Sequence, residues 1–79
     1  MKYFVYILKS KIDSSFYIGY TNDLNRRLSE HNEGKSRYSA RKVPWEIHYF
    51  EEYSEKSEAI KRERFLKQQK NSTFYESLK

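Results

Sequence analysis

Two phenols, a guanidinium, an imidazole and a carboxylate stand along this chain where their chemistry could be pooled: Tyr6, Tyr17, Arg27, His31 and Glu63. Gathered in one hollow, such groups suit hydrolysis of a phosphodiester. A single glutamate can hold a hard divalent cation that keeps most of its waters. A cation of that kind polarises a phosphoryl oxygen and acidifies bound water. The planar fork of Arg27 can bind a phosphate bidentately and stabilise the charge that builds during attack. A tyrosine hydroxyl can position the attacking water, or act as general base if its pKa is lowered. The plainer reading of the same residues is structural: Glu63 and Arg27 neutralise each other across a helix–helix contact, and the tyrosines fill the core. No cluster of histidine, cysteine and aspartate supplies further metal ligands.

These side chains depend on their elements for position. Phe16 to His31, FYIGYTNDLNRRLSEH, reads as a strand, a glycine turn and a helix. Phe16, Tyr17, Ile18 and Tyr20 are strand formers. Gly19 lies near the strand end, where a missing Cβ lets another backbone or a ligand approach closely. Thr21, Asn22 and Asp23 are consecutive candidate N-caps, and a helix then runs to about Gly34, a natural C′ residue. On that helix Leu24 and Leu28 define the apolar stripe, and Arg27 and His31 fall on the same face. A cation and an imidazole thus stand where a core-facing helix usually carries leucine. That is costly to desolvate unless the face opens on a cleft or meets a partner.

Lys2 to Lys9 is apolar or aromatic on both faces, as a central strand covered on both sides would be. The polar Ser10 to Ser15 joins it to the Phe16 strand, most simply as a hairpin, so that Tyr6 and Tyr17 share a face. Trp45 to Tyr53 reads as a third strand at an edge. Trp45, Ile47 and Tyr49 form its apolar face, and Glu46, His48 and Glu52 look outward. Ser54 can cap a helix over about Glu55 to Gln69, with Ala59, Ile60 and Leu66 on its inner stripe. Glu63 falls in the middle of that stripe, while Glu55, Glu58, Lys61 and Arg62 face outward. Asn71 to Lys79 restarts with polar caps and forms a short helix that packs against Phe65. The order β-β-α-β-α-α gives a three-stranded sheet with helices packed on it, an α+β domain.

The chain of 79 residues is expected to form one domain, residues 1–79, with no cysteine to staple its small core. Its one N-terminal apolar run, Tyr3 to Leu8, is too short for a membrane span or a signal peptide, so a cytoplasmic protein without membrane association is expected. The net charge of +5, with eight tyrosines and five phenylalanines, suits nucleic acid. The stretch Lys35 to Pro44 gathers Lys35, Arg37, Arg41 and Lys42 around Tyr38 without an acid. It reads either as a solvated loop or as a phosphate-contacting arm whose aromatic can stack on a base.

Taken together, Phe4-Val5-Tyr6, Tyr17-Ile18-Gly19, Arg27, His31 and Glu63 resemble the GIY-YIG nuclease superfamily over nearly the whole chain. The likeness is strongest to its small stand-alone bacterial members. Their YxGxTxxLxxRxxxH segment reads here as Tyr17, Gly19, Thr21, Leu24, Arg27 and His31. Ser36-Arg37-Tyr38, Pro44-Trp45 and Ala59-x-x-x-Glu63-x-x-x-Lys67 match the same style. Of the first tripeptide only the tyrosine is kept, and Asn71 is the one late candidate for an asparagine that many family nucleases use. The resemblance implies a three-stranded antiparallel sheet flanked by helices. It implies cleavage of DNA one strand at a time with Mg²⁺ or Mn²⁺, with branched or otherwise unusual DNA and repair as the expected setting. By that likeness Tyr6 and Tyr17 flank water and scissile phosphate, Arg27 stabilises the transition state, His31 accepts a proton or contacts phosphate, Glu63 binds the metal and Gly19 permits close approach. It also implies a larger protein partner supplying specificity. The alternative is a nucleic-acid-binding module of the same fold with weak or no activity.

Overall fold

The computed structural model describes residues 1–35 and 37–78, leaving aside the side chains of Arg37 and Tyr38. In chain order the elements are β1 (Tyr3–Ser10), β2 (Phe16–Thr21), α1 (Leu24–Asn32), α2 (Arg37–Ala40), β3 (Trp45–Tyr53), α3 (Lys56–Gln69) and α4 (Ser72–Ser77). Apart from the single turn of α2, inside the stretch expected to be a basic loop, this is the β-β-α-β-α-α order.

The strands form one antiparallel sheet of order β2-β1-β3. β1 takes the centre because neither of its faces tolerates water. Val5 and Ile7 on one side, and Tyr6 and Leu8 on the other, are essentially fully buried. Two small cores result. Val5, Ile7 and Ile18 pack under Ala59, Leu66 and Tyr75 of α3 and α4. Tyr6, Leu8 and Trp45 pack with Tyr17, Leu24, Leu28 and Ile47 under α1.

Of the three candidate caps for α1, Asp23 does the work: its carboxylate accepts the Arg26 N–H at 3.1 Å. The helix ends before Gly34, which adopts φ +77° as a C′ glycine does. For α3 the N-cap is Glu55 rather than Ser54, and no side chain caps it. Asn71 caps α4, accepting the Thr73 and Phe74 N–H groups at 2.9 and 3.2 Å. Phe74 meets Phe65 edge-on, as expected.

β3 departs from the simple alternation. Its register with β1 slips between Ile7 and Leu8, which face Tyr49 and Ile47 respectively, so His48 is an extra residue on the β3 side. A bulge of this kind exchanges the faces beyond it. Trp45 and Ile47 stay over α1, but Tyr49 moves to the opposite core, not to the face it was expected to share with them. His48 is half-buried, not outward-facing. Its Nε2 donates to the Tyr75 carbonyl at 2.8 Å and its ring meets Phe16. Arg62 likewise does not face solvent freely. It forms a two-pronged pair with Glu51 at 2.9 Å on each arm, and Glu51 also accepts from the hydroxyls of Tyr49 and Tyr53.

Candidate active site

Tyr6 and Gly19 are Cα partners across β1 and β2, and the phenol of Tyr6 lies over the glycine. A Cβ built on Gly19 would sit 2.6 Å from the Tyr6 hydroxyl oxygen and 2.8 Å from Cζ. The close approach expected at Gly19 is therefore made by a neighbouring side chain. Tyr17, one pleat along β2 on the same face, stacks against Tyr6 with ring centroids 6.4 Å apart. α1 lies across this face and delivers two side chains a turn apart. His31 is completely buried with its ring 4.5 Å from that of Tyr17, whereas the Arg27 side chain keeps 34% of its surface exposed.

A line of polar contacts joins them. Arg27 Nε donates to the Tyr6 hydroxyl at 3.3 Å, and that hydroxyl lies 3.3 Å from His31 Nε2. His31 Nδ1 lies 2.8 Å from the hydroxyl of Ser39, on α2. Arg27 also donates through Nη1 to Glu30 at 3.1 Å. Its Nη2 has no hydrogen-bond partner among the described residues, which leaves one arm of the fork for an anion.

Glu63 reaches the site from α3. Its side chain is 15% exposed and its nearest cation is Lys67, one turn on, at 3.6 Å. Its charge is felt at the Tyr6 phenol. The structural pairing of Glu63 with Arg27 does not form, because each takes its ion pair from its own helix.

The electrostatics follow from this packing. Burial is the main reason Tyr6 is pushed up to about 12; the Arg27 hydrogen bond and charge work against it, and coupling to the neighbouring Tyr17 phenol and the Glu63 carboxylate adds to it. Burial first, and the Arg27 charge second, hold His31 below the ordinary imidazole value, with Glu30 opposing. Arg27 is held more firmly protonated than usual, chiefly by its bond to Tyr6. Near neutral pH the site thus presents a neutral phenol, a neutral imidazole and a fixed cation.

The structure brings Tyr6, Tyr17, Gly19, Arg27 and His31 together, with Glu63 at the margin. The basic arm is less uniform. Lys35 pairs with Glu33 at 3.4 Å and Lys42 with Asp13 at 2.7 Å, while Arg41 is exposed. The side chains of Arg37 and Tyr38 lie outside the described residues. Sequence reasoning missed Ser39 and Glu30. Ser39 sits in a polar basic run with no periodicity to mark it as buried, and Glu30 looks like ordinary helix surface.

As a metal site, Glu63 is a single carboxylate; among the described residues no group of three or more histidine, cysteine or acidic side chains is placed to hold an ion. A lone, partly exposed carboxylate fits a hard cation that keeps its waters and shares a substrate phosphate, and does not fit a fully protein-ligated ion.

The three-stranded antiparallel sheet and its flanking helices are those of a known class. The model of the GIY-YIG catalytic domain matches residues 2–76, and the chain belongs to the GIY-YIG family, a family of nucleases. Among similar proteins, a UPF0213 protein of Staphylococcus epidermidis is 48% identical over 67 residues, covering 84% of this chain and 80% of its own length. UPF0213 protein YazA of Bacillus subtilis is 42% identical, covering 82% of this chain and 66% of its own. The solution NMR structure of a UPF0213 protein from Bacillus halodurans is 36% identical and superposes with a TM-score of 0.54 over 86% of this chain and 72% of that one.

Proposed function

We propose that this chain is a divalent-metal-dependent endonuclease that hydrolyses DNA phosphodiester bonds. The observation that carries the reading is the line Arg27–Tyr6–His31 laid over Gly19, with one guanidinium arm unused among the described residues. In this reading Arg27 Nη2 takes a non-bridging phosphate oxygen and stabilises the added charge as phosphorus becomes five-coordinate. Tyr6, with its high pKa, relays a proton and does not store a charge. As a water oxygen attacks phosphorus, a water proton passes to the Tyr6 oxygen while the Tyr6 proton passes to His31 Nε2. The imidazole becomes an imidazolium and the phenol stays neutral. The ester P–O bond on the far side breaks and its oxygen takes a proton from solvent. Tyr17 packs against His31 and confines its ring. Glu63 would hold Mg²⁺ or Mn²⁺, which supplies Lewis acidity at the phosphate.

The test is nicking of duplex and branched DNA with Mg²⁺ or Mn²⁺, beside Glu63→Ala and Arg27→Ala variants purified identically. The expected loss is about 10²-fold or more for each. Glu63→Ala should leave the fold nearly as stable as before, because its one ion pair among the described residues is to Lys67, which is exposed. Equal cleavage by all three preparations marks a contaminant. Salt-dependent binding without cleavage under either metal reduces the protein to a nucleic-acid-binding module.

A further inference from the structure

We propose that Ser39 is a positioning residue: its hydroxyl accepts the Nδ1–H of His31 and so fixes the tautomer whose Nε2 is bare toward Tyr6. The rate consequence rests on the nuclease reading above; the tautomer does not.

The direction of the line follows from what each group can do. Arg27 has only donors, so the Tyr6 oxygen accepts from it. The Tyr6 phenol is 1% exposed and keeps its proton near neutral pH, and that proton needs an acceptor. The acceptor within reach is His31 Nε2 at 3.3 Å. A neutral imidazole that accepts at Nε2 carries its hydrogen at Nδ1. At 2.8 Å from Nδ1 stands the Ser39 hydroxyl, and Ser39 and His31 are both fully buried.

Ser39 is itself held from the other end. Its carbonyl accepts the Trp45 indole N–H at 2.9 Å. The backbone of Trp45 is clamped by Asn32, whose Oδ1 accepts the Trp45 N–H at 2.6 Å and whose Nδ2 donates to its carbonyl at 3.1 Å. Asn32 follows His31 on α1, so the helix that carries the imidazole also anchors the strand that holds its partner. Ser39 is thus fastened at its carbonyl while its hydroxyl is aimed at an imidazole nitrogen. Among the described residues, the other groups acting on His31 are Tyr17 from β2 and Arg27 and Glu30 from α1. The two charges among them act on its protonation, and none of the three is hydrogen-bonded to Nδ1.

The experiment is two-bond ¹H–¹⁵N correlation NMR on the intact chain, which separates protonated from bare ring nitrogens in the two histidines. It is recorded near pH 7.5 on wild type, Ser39→Ala and Ser39→Thr. The expected result is a protonated Nδ1 and a bare Nε2 at His31 in wild type and in Ser39→Thr, and a shift toward mixed or reversed tautomers in Ser39→Ala. The same spectra report that each variant is folded. In the nicking assay Ser39→Ala should lower kcat about tenfold with KM little changed, and Ser39→Thr should restore most of it. A wild-type His31 protonated at Nε2, or a Ser39→Ala spectrum unchanged at His31, overturns the proposal. Normal tautomers together with no cleavage by wild type leave the Ser39 assignment standing and defeat the nuclease reading instead.

Discussion

Gly19 is where one atom decides most. Nothing about its backbone angles demands glycine; the demand is for space beneath the Tyr6 ring. Gly19→Ala would drive a methyl group into a buried phenol with no room to retreat, so a loss of about 1–3 kcal/mol is expected, of the size found for overpacked cores. Chemical denaturation of Gly19→Ala, Tyr6→Ala and the pair checks this. The double variant should lose much less than the sum of the singles, since removing the ring removes the clash. Additive losses would place the glycine's role elsewhere. His31 makes a second residue-level prediction. Its folded pKa lies below the unfolded value of 6.5, so the unfolded chain takes up a proton that the folded chain refuses. The stability it lends is complete above that value and is lost as pH falls through the folded pKa. Denaturant midpoints measured at about pH 7 and about pH 5 should therefore differ less in His31→Gln than in wild type. An identical acid dependence would mean that this imidazole protonates freely in the fold.

At the level of elements, α3 matters because it holds Glu63 at the margin of the site, and Arg62, the residue before Glu63, ties the packed helix to β3. Arg62 grips Glu51 with both arms, and two tyrosine hydroxyls complete the carboxylate. Burial opposes ionisation of Glu51, but these hydrogen bonds win and keep its pKa below the usual carboxylate range. Arg62→Ala is expected to cost about 2 kcal/mol, since among the described residues it leaves the half-buried Glu51 charge with phenol partners alone. Breaking the exposed pair Lys2–Glu52, whose side chains are 68% and 47% exposed, should cost no more than about 0.5 kcal/mol. Thermal denaturation of Arg62→Ala beside Glu52→Ala separates the two. The helices and strands themselves were largely legible in the sequence, because their hydrophobic periods are clear. The exceptions are instructive. The single turn of α2 has no period long enough to see, and the bulge at His48 cannot be read from β3 alone because it exists only as a mismatch with β1.

Across the whole molecule, the net charge is +5, and part of the basic charge is already paired. Lys35 and Lys42 have acidic partners, whereas Arg41 is exposed. If DNA is the substrate, affinity should fall steeply with salt, and Arg41→Ala should lower the slope of log K against log salt by about one phosphate contact. Fluorescence anisotropy with a labelled duplex measures it; an unchanged slope would remove Arg41 from the contact surface. No helix among the described residues is long and apolar enough to cross a membrane. The sequence by itself determined the central place of β1, the pairing of Tyr6 with the Gly19 strand and the shared face of Arg27 and His31. Those features follow from local period and from the chemistry of single residues. Only the tertiary structure decided that Arg27 and Glu63 find separate ion partners, that Tyr49 crosses to the other core, and that Ser39 lies buried against His31. Each of these depends on which surfaces meet across the sheet, and a residue's neighbours along the chain carry no record of what is folded over it.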